Sequence, residues 1–241
     1  MVSKCCRLAV LSASLIPLLF ITGCSTPVEP EGLADIYVDD GVVHYSGPLN
    51  TPSFNHLREL FEQDNPPRIL AVNSVSGDPM AAMQIGYLLQ RHQVTLRIRE
   101  RCEGLCANYL FTAASVREVY PEALITWSGG ALNQSVILQW ESYILPGIRD
   151  FVTRYSDQYL RRETRFFERV SVDQHITIYG FHPRLGCMDY ERFNYSWPDL
   201  VSLGIGETRF VQHTYKDAFS HADNDICRVD LSNRHLLLNE K

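Results

Sequence analysis

The feature that most constrains this chain is Ile69-Leu70-Ala71-Val72, an unbroken apolar run that leads into Asn73-Ser74-Val75-Ser76-Gly77-Asp78 and then Pro79. Such a run reads as a strand buried on both faces of a parallel sheet. A proline just past a turn is suited to the first turn of a helix, and Met80, Met83, Ile85, Tyr87, Leu88 and Leu89 follow with helical recurrence. Thr95-Leu96-Arg97-Ile98-Arg99 alternates like a further strand, residues 102–104 read as a loop, and residues 105–114 are apolar enough for a buried helix. Val119-Tyr120 and Leu124-Ile125-Thr126-Trp127 read as short strands parted by Pro121. Strand, helix, strand, helix, strand in this order predicts an α/β fold on a parallel sheet with right-handed crossovers.

Upstream, Ile36-Tyr37-Val38 and Val42-Val43-His44-Tyr45 flank Asp39-Asp40-Gly41, a turn suited to a β-hairpin. Thr51 as cap and Pro52 as first-turn proline start a helix that carries Phe54, Leu57, Leu60 and Phe61 and stops at Asn65-Pro66-Pro67. The C-terminal part is irregular and α-rich. Residues 136–170 carry one or two helices with a core stripe of Tyr159, Phe166, Phe167 and Val170. Residues 198–204 form a short helix closed by glycine, and the last fifteen residues give no clear pattern.

The N-terminus has the order of a secretory signal: Lys4 and Arg7, an apolar stretch over 8–22, then small residues before Cys24. The apolar stretch carries Pro17 and is shorter than the roughly twenty residues a membrane-spanning helix needs. Its end, Ile21-Thr22-Gly23-Cys24, resembles the lipobox of bacterial lipoproteins, which implies cleavage before Cys24 and anchoring in a membrane by acyl chains such as palmitate on that cysteine. Ser25 stands where an aspartate would resemble an inner-membrane retention signal, so the periplasmic face of the outer membrane is the expected location in a Gram-negative source. Several acyl chains on one residue anchor stably where a single chain is marginal. The expected organisation is a signal peptide over 1–23, a lipidated cysteine and proline-bearing tether over 24–33, and a single domain over 34–241.

The chain has 22 basic and 28 acidic side chains, a net charge of −6 that cleavage makes more negative by two through loss of Lys4 and Arg7. The arginine-rich stretches around Arg97, Arg99, Arg101 and around Arg161, Arg162, Arg165 are interrupted or followed by glutamates. This argues against a nucleic-acid partner, which needs concentrated positive charge. With Cys5 and Cys6 in the signal and Cys24 acylated, four thiols remain. In an oxidising compartment an even number favours disulfides: Cys102 with Cys106, which are close in sequence, and Cys187 with Cys227 by elimination. A four-thiolate zinc site is the alternative, though no paired C-x-x-C spacing supports it.

Three stretches in order carry a further resemblance: residues 70–77, then Cys102-Glu103-Gly104-Leu105-Cys106-Ala107 with the apolar helix that follows, then Ile125-Thr126-Trp127-Ser128-Gly129-Gly130. Across roughly residues 34–130 they resemble the Clp protease and crotonase superfamily, in particular its exported, predicted periplasmic members. That group runs as strand, Asn-Ser-Pro-Gly-Gly-like turn, helix, strand, Cys-x-Ser-x-Cys-Ala, apolar helix, and later a strand ending in His-Gly. The resemblance implies a Clp/crotonase-like α/β core of repeated strand–helix units and also a homo-oligomer, since the superfamily often builds trimers and larger rings.

The departures from that pattern bear on function. Gly104 stands where the family has its nucleophilic serine, and Ser128 stands where it has the base histidine. Glycine offers no nucleophilic atom, and a serine hydroxyl is far too weak a base at neutral pH to replace imidazole. Ser76 and Gly77 occupy the oxyanion-hole turn, so amides there and at Leu105 form a residual cleft able to bind a carboxylate or a peptide carbonyl. The expected protein is therefore a non-catalytic binding or envelope-associated lipoprotein with a degenerate domain, an unidentified protein or peptide partner and no cofactor. A peptidase or acyl-transfer enzyme using displaced residues is the alternative. Cys106, Ser128 or a distant His213 or His221 would then serve, and an oligomeric assembly protein is the third reading. Asn73, Asp78 and Asn108 read as turn and cap residues. His182, Asp189 and Glu191 read as solvated loop residues without metal-ligand spacing, and Trp127, Trp140 and Trp197 as core.

Overall fold

The computed structural model of the chain describes residues 32–133, 149–212 and 225–232. β1 (Asp35–Asp39) and β2 (Val42–Ser46) form the expected hairpin. Asp40 and Gly41, at φ 47° and 72°, supply the left-handed pair its turn demands. In α1 (Thr51–Phe61) the cap is Asn50 rather than Thr51. The Asn50 side chain accepts from Ser53 N at 3.0 Å, and Thr51 is already helical.

β3 (Ile69–Ser74) pairs in parallel with β2 and with β4 (Thr95–Glu103). Between β3 and β4 runs α2 (Pro79–His92), capped by Asp78, which accepts from Ala81 N at 2.8 Å. β5 (Val116–Val119), β6 (Leu124–Thr126) and β8 (Thr208–Phe210) extend the sheet in the order β1-β2-β3-β4-β5-β8, with β6 also on β4. Among the described residues, β1–β2 is the one antiparallel strand pairing of this sheet. The mixed α/β architecture is thus the expected one.

The expectation that β3 is buried on both faces needs correction. Leu70 and Val72 join Val43, Tyr45, Leu96 and Ile98 in the core, whereas Ile69, Ala71 and Asn73 are only half-buried on the opposite face. The expected loop at 102–104 is also mostly strand, because β4 runs on to Glu103. Its first part pairs with β5 and its last part, Arg101 to Glu103, with β6, and its register against β3 shifts between Val72 and Ser74.

Residues 105–113 are helical and, from Cys106 on, buried as expected, but the segment Cys106–Phe111 is π-helical. Arg117, almost fully buried, holds its carboxyl end, donating to Phe111 O (2.6 Å) and Thr112 O (2.8 Å). A cation is favourable against helix-end carbonyls, although burial lowers the Arg117 pKa to about 10. α3 (Arg149–Val170) buries Tyr159, Phe166 and Phe167, the predicted stripe, and Val170 packs against the same core. Residues 136–148 of the expected helices lie outside the described residues. α4 (Trp197–Ser202) is capped by Ser196 and followed by Gly204 at φ 100°. A second, two-stranded parallel sheet was not foreseen. It pairs β7 (Arg192–Tyr195) with β9 (Ile226–Val229), most of which lies in the C-terminal stretch that the sequence left unread.

Cys102 is bonded to Cys106 (Cα–Cα 5.0 Å) and Cys187 to Cys227 (Cα–Cα 5.5 Å). That pairing leaves none of the four as a zinc thiolate. Trp127 is fully buried, edge-on to Phe111 and Tyr195. Trp197 packs on Phe210, and Trp140 lies outside the described residues. Among the described residues no helix is long and apolar enough to cross a membrane.

Candidate functional site

The chain leaves β4 through a tight elbow at Gly104, whose φ of 53° suits glycine and would cost another residue about 1–2 kcal/mol. The Gly104 amide donates to Thr126 O (2.9 Å), its carbonyl accepts from Asn108 N (2.8 Å), and the Cys102–Cys106 bond brackets the turn. Ser128 follows β6, the neighbour of this end of β4. A Cβ built on Gly104 would lie 3.1 Å from Ser128 Oγ. The two positions that the resemblance pairs are therefore adjacent in space. Ser128 is exposed, and among the described residues its hydroxyl has no hydrogen-bond partner. Asn108, fully buried, donates through Nδ2 to Gly129 O at 2.7 Å, which ties the first turn of the helix to the segment carrying Ser128.

The turn after β3 comes to the same end of the sheet, since Ser74 stands opposite Cys102 in the β3–β4 pairing. Leu49 pins it: Leu49 N donates to Ser76 O (2.9 Å), and Asp78 N donates to Leu49 O (2.7 Å). This bridge uses groups on either side of Gly77 and leaves the Gly77 amide out. Gly77 itself has no room for a side chain, because a Cβ would lie 2.2 Å from Leu49 O and its φ is 142°. Leu105 is half-buried just past the elbow.

A cavity of about 270 Å³ opens here, lined by Ser46, Gly47, Asn73, Ser74, Ser76 and Arg101 among others. It sits at the carboxyl ends of β2 and β3, where open α/β sheets commonly receive ligands. Gly104 and Ser128 do not line it. The three segments thus share one end of the sheet, but the hollow belongs to the turn and Arg101 rather than to the elbow. A separate hollow of about 310 Å³ on the half-buried sheet face contains Arg97, Arg99 and Asn73. These are already engaged, by Glu118 (2.7 Å), the Tyr120 ring and Glu100 (2.7 Å) respectively.

Beside the elbow lies a charged cluster that the sequence did not disclose. Glu103, 5% exposed, accepts from Arg101 Nε, from Arg192 Nη1 (3.0 Å) and from Thr126 Oγ1 (3.0 Å). Burial alone would raise its pKa, but the hydrogen bonds from Arg192, Thr126 and Arg101 outweigh burial and hold it below the usual carboxylate value. Glu103 therefore ties β4, β6 and β7 together directly behind Gly104. Cys106, weighed above as a displaced nucleophile, is fully buried and disulfide-bonded, so it has no free thiol. His213 and His221 lie outside the described residues. His182 accepts from Arg184 N (3.2 Å), Asp189 and Glu191 are exposed, and among the described residues no three potential metal ligands gather. Asp78 takes the cap role expected of it, whereas Asn73 lies within β3 and donates across to Glu100 of β4, and Asn108 spends its amide on the distant Gly129 carbonyl, so neither makes the local turn or cap bond expected.

Fold and site together define a class: an α/β domain on a parallel sheet, with a strand–elbow–helix unit whose apex is glycine. The chain matches no known family profile and no curated protein. Among solved structures it is similar to a putative enoyl-CoA hydratase from Streptomyces coelicolor A3(2), at 17% identity and a TM-score of 0.32, over 58% of this chain and 64% of that one. It is also similar to an enoyl-CoA hydratase/isomerase from Marinobacter aquaeolei, at 11% identity and a TM-score of 0.33, over 42% and 53%. A third is an enoyl-CoA hydratase from Mycobacterium avium subsp. paratuberculosis K-10, at 9% identity and a TM-score of 0.31, over 38% and 48%. These are enoyl-CoA hydratase/crotonase superfamily members, and this chain spans about half to two-thirds of their length.

Proposed function

We propose that the chain is a lipid-anchored envelope protein whose domain binds a protein or peptide partner without processing it. The observation that carries this reading is the elbow itself. Gly104 presents no nucleophilic atom, and the Ser128 hydroxyl beside it has no base within hydrogen-bonding reach among the described residues. Covalent acyl transfer at this elbow needs both. The neighbouring cavity offers the nitrogens of Arg101 that Glu103 does not take, its Nε being bound to that carboxylate, as donors suited to a carboxylate or a peptide carbonyl. The lipobox-like Ile21-Thr22-Gly23-Cys24 supports anchoring, with the outer-membrane periplasmic face as the location in a Gram-negative source.

A fluorophosphonate probe is expected to leave the native chain unlabelled. Labelling that disappears in Ser128→Ala would overturn the non-catalytic reading. In the companion variant, Gly104→Ser with Ser128→His, weak new labelling would support the inherited frame, against the backbone cost of a side chain at residue 104. Anchoring has its own test. Metabolic labelling with a palmitate analogue is expected to mark the wild-type chain and not the Cys24→Ser chain, so an unlabelled wild type, or label that persists in Cys24→Ser, would remove the anchor.

A further inference from the structure

The chain is acidic overall, with a net charge of −6, yet one of its hollows carries a cationic rim. Between α2 and α3 runs a trough of about 350 Å³, lined by Met80, Met83, Gln84, Tyr87, Arg162 and Arg165. Met83 is buried, Met80 and Tyr87 are half-buried, and Gln84 and both arginines are exposed, so an apolar floor has a cationic rim. The Arg162 guanidinium lies against Met80 Sδ (3.6 Å), and Arg169 lies over the Tyr87 ring (5.5 Å). Among the described residues neither Arg162 nor Arg165 is paired with a carboxylate.

Elsewhere the chain carries the converse surface. Between Cys187 and β7, Met188 and Tyr190 are 59% and 39% exposed. They alternate with Asp189 and Glu191, which are exposed and, among the described residues, have no cationic partner. The loop is held in shape by the Cys187–Cys227 bond and by Tyr190 N donating to Cys187 O (3.1 Å). A pre-shaped loop costs little ordering entropy on docking.

We infer that these surfaces are the two halves of one contact: the Met188–Glu191 loop of one copy docks in the α2–α3 trough of a second copy. Met188 and Tyr190 meet the apolar floor, and Asp189 and Glu191 meet Arg162 and Arg165. A second copy is favoured over an unrelated anion because one chain carries both the unpaired cationic rim with its apolar floor and the unpaired acidic loop with its apolar tips. The two patches are different, so the contact is head-to-tail and builds rings or open chains. The inference is independent of whether the elbow is catalytic.

The test is a charge exchange in the full chain, with differently tagged copies co-expressed and captured from a detergent extract. Wild-type copies are expected to capture one another. Arg162→Glu with Arg165→Glu places like charges across the contact, as does Asp189→Lys with Glu191→Lys. Each double variant is expected to lose self-capture by about tenfold or more. Co-expressing the two double variants restores opposite charges at both surfaces, so capture is expected to return. Three results would overturn the inference: no self-capture by wild type, unchanged self-capture by either double variant, or no recovery in the mixture. Unchanged self-capture accompanied by weaker binding of Arg162→Glu, Arg165→Glu to anionic vesicles would assign the trough to lipid headgroups instead.

Discussion

Replacing Glu103 with alanine is expected to cost the fold about 3 kcal/mol, read as a lower urea midpoint with an unchanged slope. The carboxylate is almost fully buried and is the shared acceptor for Arg192, Thr126 and Arg101. Removing it takes one acceptor from the partly buried guanidinium on β7 and leaves the buried Thr126 hydroxyl on β6 without its carboxylate acceptor, and lost acceptors of this kind dominate the cost of breaking a buried pair. The figure lies at the low end of the usual range because the Arg101 and Arg192 side chains keep 51% and 27% of their exposure and regain some water. Because the folded-state pKa of Glu103 is depressed, its contribution is present above the unfolded value of 4.5 and is lost as pH falls through the lower folded one. The alanine variant should therefore lose the part of the wild-type acid sensitivity that lies below pH 4.5. A midpoint within about 0.5 kcal/mol of wild type would show that the three elements do not depend on this carboxylate.

The parts of the fold legible in the sequence are those where one local rule is enough. Asp39-Asp40-Gly41 announced its hairpin because few other sequences accept two consecutive left-handed residues. Asp78-Pro79 announced α2 because a capping carboxylate and a first-turn proline belong together. The apolar stripe of α3 could be read because a period of 3.6 residues survives whatever packs against it. Reading failed where a residue answers to something remote. β4 looked finished at Arg99 because Arg99, Glu100 and Arg101 are all exposed at the point where the strand changes neighbour from β5 to β6, which erases the alternation. The β7–β9 sheet pairs strands more than thirty residues apart, and nothing local marks either strand. Of the candidate site, the closeness of residues 104 and 128 came from resemblance and not from any physical pattern. The buried charges were out of reach altogether, since Glu103 meets Arg192 across 89 residues and Tyr109 meets Glu163 across 54.

Glu163 carries the second large effect. It is fully buried and accepts from Tyr109 Oη (2.7 Å), Gln174 Nε2 (2.8 Å), Ala131 N (3.1 Å) and the Leu132 amide. Tyr109, whose hydroxyl hydrogen is directed at the carboxylate, accepts in turn from Tyr159 at 2.8 Å. Glu163→Ala takes their shared acceptor from the buried Tyr109 hydroxyl and the buried Ala131 amide, and a loss of about 3 kcal/mol is expected from unfolding midpoints. Glu163→Gln asks a different question. Burial raises the Glu163 pKa above 4.5 despite the Gln174, Tyr109 and backbone hydrogen bonds that pull it down. A raised folded-state value means that its stabilisation is full below 4.5 and is lost as pH rises through that value. The wild-type chain should therefore gain stability as pH falls from neutrality toward 4.5, and Glu163→Gln, which cannot titrate, should lack that gain. Glu103 acts with the opposite sign below 4.5, so the two carboxylates occupy separate pH windows and can be measured in one chain. A Glu163→Gln chain that kept the wild-type slope between 4.5 and neutrality would mean that some other group is taking up the proton.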